Sequence, residues 1–118
     1  GDSGPYLQYS YARAMSVLEK ARESGQIAKI DPTQDASALL RLLCRFSEVV
    51  ARATHEFSPH YIATYLIECA ATFNSFYAEN KILDAGEETP HRIALTQAFS
   101  ITMRNGLKLL GIASPTKM

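Results

Sequence analysis

Residues 3–25 read SGPYLQYSYARAMSVLEKARESG. Ser3-Gly4-Pro5 marks a start, because proline costs nothing in a first helical turn, where its missing N–H would have no partner. Leu7, Tyr11, Ala14, Leu18 and Ala21 then follow at spacings of four, three, four and three, which is one face of an α-helix. Gly25 closes the segment, since glycine enters the left-handed conformation that ends a helix without steric penalty.

The same punctuation repeats along the chain. Asp31-Pro32-Thr33-Gln34 predicts a second helix start, with Asp31 as cap and Gln34 reaching back to the cap N–H. Leu39, Leu40, Leu42, Leu43 and Phe46 follow. Ser47 is a candidate cap for a further helix carrying Val49, Val50, Ala53 and Phe57, so this region is one kinked helix or two. Ser58-Pro59 opens a stripe through Ile62, Tyr65, Leu66, Cys69, Phe73, Phe76 and Tyr77. Residues 80–88 read as a loop. Thr89-Pro90 begins a last long helix through Ile93, Ala94, Ala98, Ile101, Leu107 and Leu110, stopped at Gly111. No segment alternates with period two, and no repeat appears. The expectation is an all-α fold: a single compact antiparallel bundle of four to five helices spanning residues 1–118.

Composition excludes several classes. Of the 118 residues 47% are apolar and 20% charged, which is ordinary for one globular domain. No apolar run approaches the ~20 residues of a membrane span, and no signal-peptide core is present. Cys44 and Cys69 stand singly in apolar patterns and read as reduced, buried thiols of a cytoplasmic protein. There is no Gly-rich phosphate loop, no Gly-x-Ser-x-Gly, no His-Glu-x-x-His and no Cys-x-x-Cys. His55, His60 and His91 lack a ligand pattern suited to zinc and read as solvated or capping groups.

Charge is balanced overall but divided along the chain. Residues 1–30 carry four basic and three acidic groups (+1), residues 31–88 four and nine (−5), and residues 89–118 four and none (+4). If the two ends meet in space, a neutral molecule gains a local basic face. The first helix adds a second feature. At about 100° per residue, Tyr6, Tyr9, Arg13 and Lys20 fall roughly opposite the apolar stripe. Tyrosines on that side fit packing against a neighbouring helix or a further domain. They equally fit an aromatic platform with a cationic neighbour, the arrangement on which unpaired bases stack.

Three blocks together resemble the anticodon-binding domain of arginyl-tRNA synthetases, the DALR domain. They are the opening GDSGPYLQYSYAR (1–13), a middle block from Ser58-Pro59-His60 through Tyr65-Leu66 to Phe73-Asn74-Ser75-Phe76-Tyr77, and an ending. The ending runs from Arg92-Ile93-Ala94-Leu95 through Asn105-Gly106-Leu107 and Leu109-Leu110-Gly111-Ile112 to Met118. Tyr11 departs from the family, which usually carries histidine or another polar residue there.

The resemblance implies that Tyr9, Arg13, Tyr77 and Met118 line the pocket for the anticodon loop of an arginine tRNA; beside them, Tyr6 and Lys20 on the same face of the first helix and Lys117 in the basic C-terminal segment are candidate additional RNA contacts. It implies no DNA or membrane partner and no cofactor within this domain. The parent enzyme would use ATP and Mg in a catalytic domain, whose "HIGH" and "KMSK" signatures this sequence lacks. Two alternatives stay open: a helical protein-interaction module without an RNA role, and the equivalent domain of another class I synthetase, notably that for cysteine.

Overall fold

The computed structural model of the chain describes residues 3–34 and 37–112, and within them the apolar stripes fold as five α-helices with no strand. These are α1 (Ser3–Glu23), α2 (Ala38–Leu43), α3 (Phe46–His55), α4 (His60–Glu79) and α5 (Thr89–Leu109), with a short 3-10 turn at Gly86–Glu88 before α5. No described helix is long and apolar enough to cross a membrane.

The ends of α1 and α5 follow the expected chemistry. Gly25 has φ 74° and Gly111 φ 72°, both in the left-handed region. In each case the next residue's N–H returns to a carbonyl of the last turn, Gln26 to Ala21 at 2.9 Å and Ile112 to Leu107 at 2.9 Å. The third such end, of α3, uses Phe57 at φ 52°, with the N–H of Ser58 on the Ala53 carbonyl at 2.9 Å. Phe57 is therefore 93% exposed, not on the buried stripe where the spacing placed it. The chain turns left-handed before its ring can meet the core.

Asp31 does not start a helix. Its carboxylate accepts from the Thr33 N–H at 2.9 Å and the Thr33 hydroxyl at 2.6 Å, while its own N–H donates to Nδ1 of His91 at 3.0 Å. A turn pinned to α5 takes the place of the capping box. The helix begins instead at Ala38, where Ser37 Oγ accepts from the Leu40 N–H at 3.0 Å. His91 is buried in this role rather than solvated.

The kink between α2 and α3 separates two helices. Arg45 occupies the cap position of α3 without a side-chain bond, so Ser47 is not a cap. Cys44, at the break, is exposed, whereas Cys69 is buried as expected. Burial pushes the Cys69 thiol up to about 12 and raises Tyr65 as well. Tyr65 donates to the Leu42 carbonyl at 2.7 Å and so fastens α2 to α4.

One core runs between α1, α4 and α5. Phe73 stacks on Phe99 with centroids 4.1 Å apart, and Gly106 faces Leu66 so closely that an added Cβ would lie 2.6 Å from Leu66 Cδ2. These pairings, 73 with 99 and 66 with 106, make α4 and α5 antiparallel. Lys29, beyond the end of α1, donates to the carbonyl of Pro90 at the start of α5 at 2.9 Å, which sets α1 antiparallel to α5 as well. Val17, Ala21, Ile82 and Ile93 close this end as a smaller apolar cluster. With both antiparallel to α5, α1 and α4 run in the same sense, and α1 presents one flank to each of its neighbours.

Candidate functional site

That flanking arrangement explains the tyrosines. The buried side of α1 is wider than the apolar stripe: Ser10 and Val17 are buried along with it. Tyr6, Tyr9 and Arg13 lie along the edge where α1 meets α4. Tyr6 is 39% exposed and Tyr9 52%, while Arg13 is half-buried.

Arg13 is held from three sides. Its Nη1 donates to Asn74 Oδ1 on α4 at 3.0 Å, and its Nη2 donates to the Tyr9 hydroxyl one turn back at 3.2 Å. The guanidinium lies 4.5 Å from the centroid of the Tyr77 ring on α4 and 5.1 Å from that of Tyr9. Tyr77, 41% exposed, is itself set by Phe73, whose ring centroid lies 6.3 Å away. Among the described residues no carboxylate forms an ion pair with Arg13. Among the described residues its charge thus meets only neutral groups, at a half-exposed edge flanked by the Tyr9 and Tyr77 rings. Such an arrangement can stack planar rings and donate to acceptor atoms.

The structure brings Tyr6, Tyr9, Arg13 and Tyr77 together. Lys20 sits on α1 seven residues past Arg13, about 10 Å along the axis at the helical rise, and is exposed. Lys117 and Met118 lie outside the described residues.

Sequence reasoning missed Asn74 and Ser10. The Asn74 amide joins Arg13 to Ser10 Oγ at 3.0 Å and to the Tyr6 hydroxyl at 3.2 Å. A signal was available: asparagine is a poor helix former, and this one lies mid-helix, three residues before Tyr77 and on its face.

A second arginine–tyrosine pair occurs between α3 and α4, with Arg52 4.2 Å from the Tyr61 ring centroid. There Arg52 pairs with Glu56 and Arg45 with Glu48, each at 3.7 Å, and Glu68 lines the same groove. The carboxylates offset the arginines, so this groove lacks the free positive charge of the Arg13 cluster. Among the described residues no group of three His, Cys, Asp or Glu side chains is placed to hold a metal ion.

Comparison with known proteins agrees with this architecture. The arginine–tRNA ligase of Ligilactobacillus salivarius is 42% identical over 122 residues, an alignment covering all of this chain and 21% of that protein. Thermus thermophilus arginyl-tRNA synthetase superposes with a TM-score of 0.87 at 38% identity, over 100% of this chain and 21% of that one. A putative arginyl-tRNA synthetase of Campylobacter jejuni gives 0.83 at 26% identity, over 99% of this chain and 27% of that one. The chain thus spans about a fifth of the length of the curated relatives it matches. The family model of the DALR anticodon binding domain matches residues 7–118, and the chain belongs to that family.

Proposed function

We propose that residues 1–118 form the anticodon-binding domain of an arginine–tRNA ligase, docking the anticodon loop of an arginine tRNA on the edge where α1 meets α4. A catalytic domain of the same enzyme would join arginine to the tRNA with ATP and Mg, in the cytoplasm. The domain's own contribution is binding energy that positions the substrate. The observation that carries this is the Arg13 guanidinium, between two tyrosine rings and free of any carboxylate partner among the described residues.

In this proposal Tyr9 and Tyr77 offer ring faces to unpaired bases, and Arg13 donates to acceptor atoms of the loop. Tyr6 and Lys20 extend the contact along α1. Met118 enters through the resemblance alone, and Lys117 through the basic charge of the C-terminal segment.

An electrophoretic titration with an arginine tRNA transcript and an anticodon-mutated control tests the proposal. Weak binding is expected, falling steeply with salt because a few phosphates are neutralised, and weaker still for the control. Equal indifference to both RNAs would instead leave the tyrosine edge as a docking face for a protein helix.

A further inference from the structure

The Arg13 cluster is organised by a residue outside the expected pocket. We propose that Asn74 is the positioning residue of this site: it holds the Arg13 guanidinium in place with an amide, so that the full positive charge stays available to an acceptor oxygen of the bound RNA. This rests on the function proposed above.

The hydrogen-bond network fixes which way the amide faces. Ser10 is buried, and its hydroxyl proton is committed to the Tyr6 carbonyl at 3.0 Å. Ser10 Oγ can then only accept from Asn74, so Nδ2 faces Ser10 at 3.0 Å and also reaches the Tyr6 hydroxyl at 3.2 Å. The opposite edge, Oδ1, is left for Arg13 at 3.0 Å, and a guanidinium is a donor only. Every group in the chain from the Tyr6 carbonyl to Arg13 thereby has its complement. The amide spans both helices, linking three α1 residues to α4.

An aspartate at position 74 would satisfy nearly the same geometry. Its carboxylate would accept from Arg13, and the Tyr6 hydroxyl would turn to donate to it, as would the Ser10 hydroxyl on giving up its bond to the Tyr6 carbonyl. It would also neutralise the guanidinium. A carboxylate pair is the usual strong partner for arginine. Asparagine instead supplies the orientation while leaving the charge unspent, which suits a site whose ligand is polyanionic.

Two variants test this, with and without RNA. For Asn74→Asp, the thermal midpoint should be unchanged or higher, affinity for an arginine tRNA transcript should fall about tenfold, and the salt slope should drop by about one. For Asn74→Ala, relaxation of the Arg13 Nε–H by NMR in the free protein should show the guanidinium becoming mobile. Unchanged affinity and slope in Asn74→Asp would overturn the inference, as would failure of that variant to fold or unchanged Arg13 order in Asn74→Ala. If the unsubstituted chain does not bind the transcript, the proposed function fails and the RNA role of Asn74 with it; the NMR measurement still decides whether Asn74 positions Arg13.

Discussion

Arg13 and Tyr9 are one turn apart on α1, so their pairing is a local consequence of the helix, whereas the Tyr77 ring reaches Arg13 only across the helix boundary. Removing either α1 side chain should therefore weaken RNA binding without unfolding the chain. Base–aromatic stacking contributes ~1–3 kcal/mol, so Tyr9→Ala should lower affinity for an arginine tRNA by about 5- to 150-fold. Arg13→Ala should do at least as much and also flatten the salt dependence. Because Tyr9 is half-exposed, its loss should change stability by less than about 1 kcal/mol. Parallel tRNA titrations and urea unfolding of both variants check this, and full affinity in both would remove the site. Tyr9 and Arg13 were legible in the sequence because helical spacing puts them side by side. Asn74 stands out only as an asparagine inside a helix, and its pairing with Arg13 and Ser10 was not legible, because those partners are more than sixty positions away in the chain.

At the scale of elements, three helices end in the same left-handed turn, two with glycine and α3 with phenylalanine. A side chain in that conformation costs ~1–2 kcal/mol, and Phe57 recovers little by burial. Phe57→Gly should thus stabilise the chain by about 1 kcal/mol, read as a higher urea midpoint at constant slope. A lower midpoint would mean that the exposed ring contributes contacts absent from this structure. Helix ends marked by glycine or proline were readable from sequence, since those residues act through their own backbone. The start of α2 was not: Asp31 and Ser37 are both good caps, and it is Ser37 that caps α2, while Asp31 is held in a turn by Thr33 and by His91 on α5.

Over the whole molecule, the core couples short helices to long ones through few polar groups. Tyr65 and Cys69 lie side by side on α4, and burial raises both. An acid whose folded pKa lies above its unfolded value ionises first in the unfolded chain. Its contribution is complete below the ordinary thiol value of 9.0 and declines as pH rises towards about 12. The urea midpoint should fall from about pH 9 upward, less so in Cys69→Ala and least in Cys69→Ala combined with Tyr65→Phe. An alkaline limb of equal slope in all three would place its origin elsewhere. Global packing also explains Gly106, where any larger residue would press on the buried Leu66 side chain and force it to shift.

By itself the sequence determined the all-helical class, the extent of α1, α4 and α5, and the neighbouring of Tyr9 and Arg13, because periodicity, glycine and proline stops and one-turn neighbours are local properties of a chain. The tertiary structure alone decided that Asn74 clamps Arg13, that His91 is buried and that Cys44 and Phe57 are exposed. Each of these depends on how one helix is rotated against another, and that rotation is set by the volumes meeting in the core, which no single segment encodes.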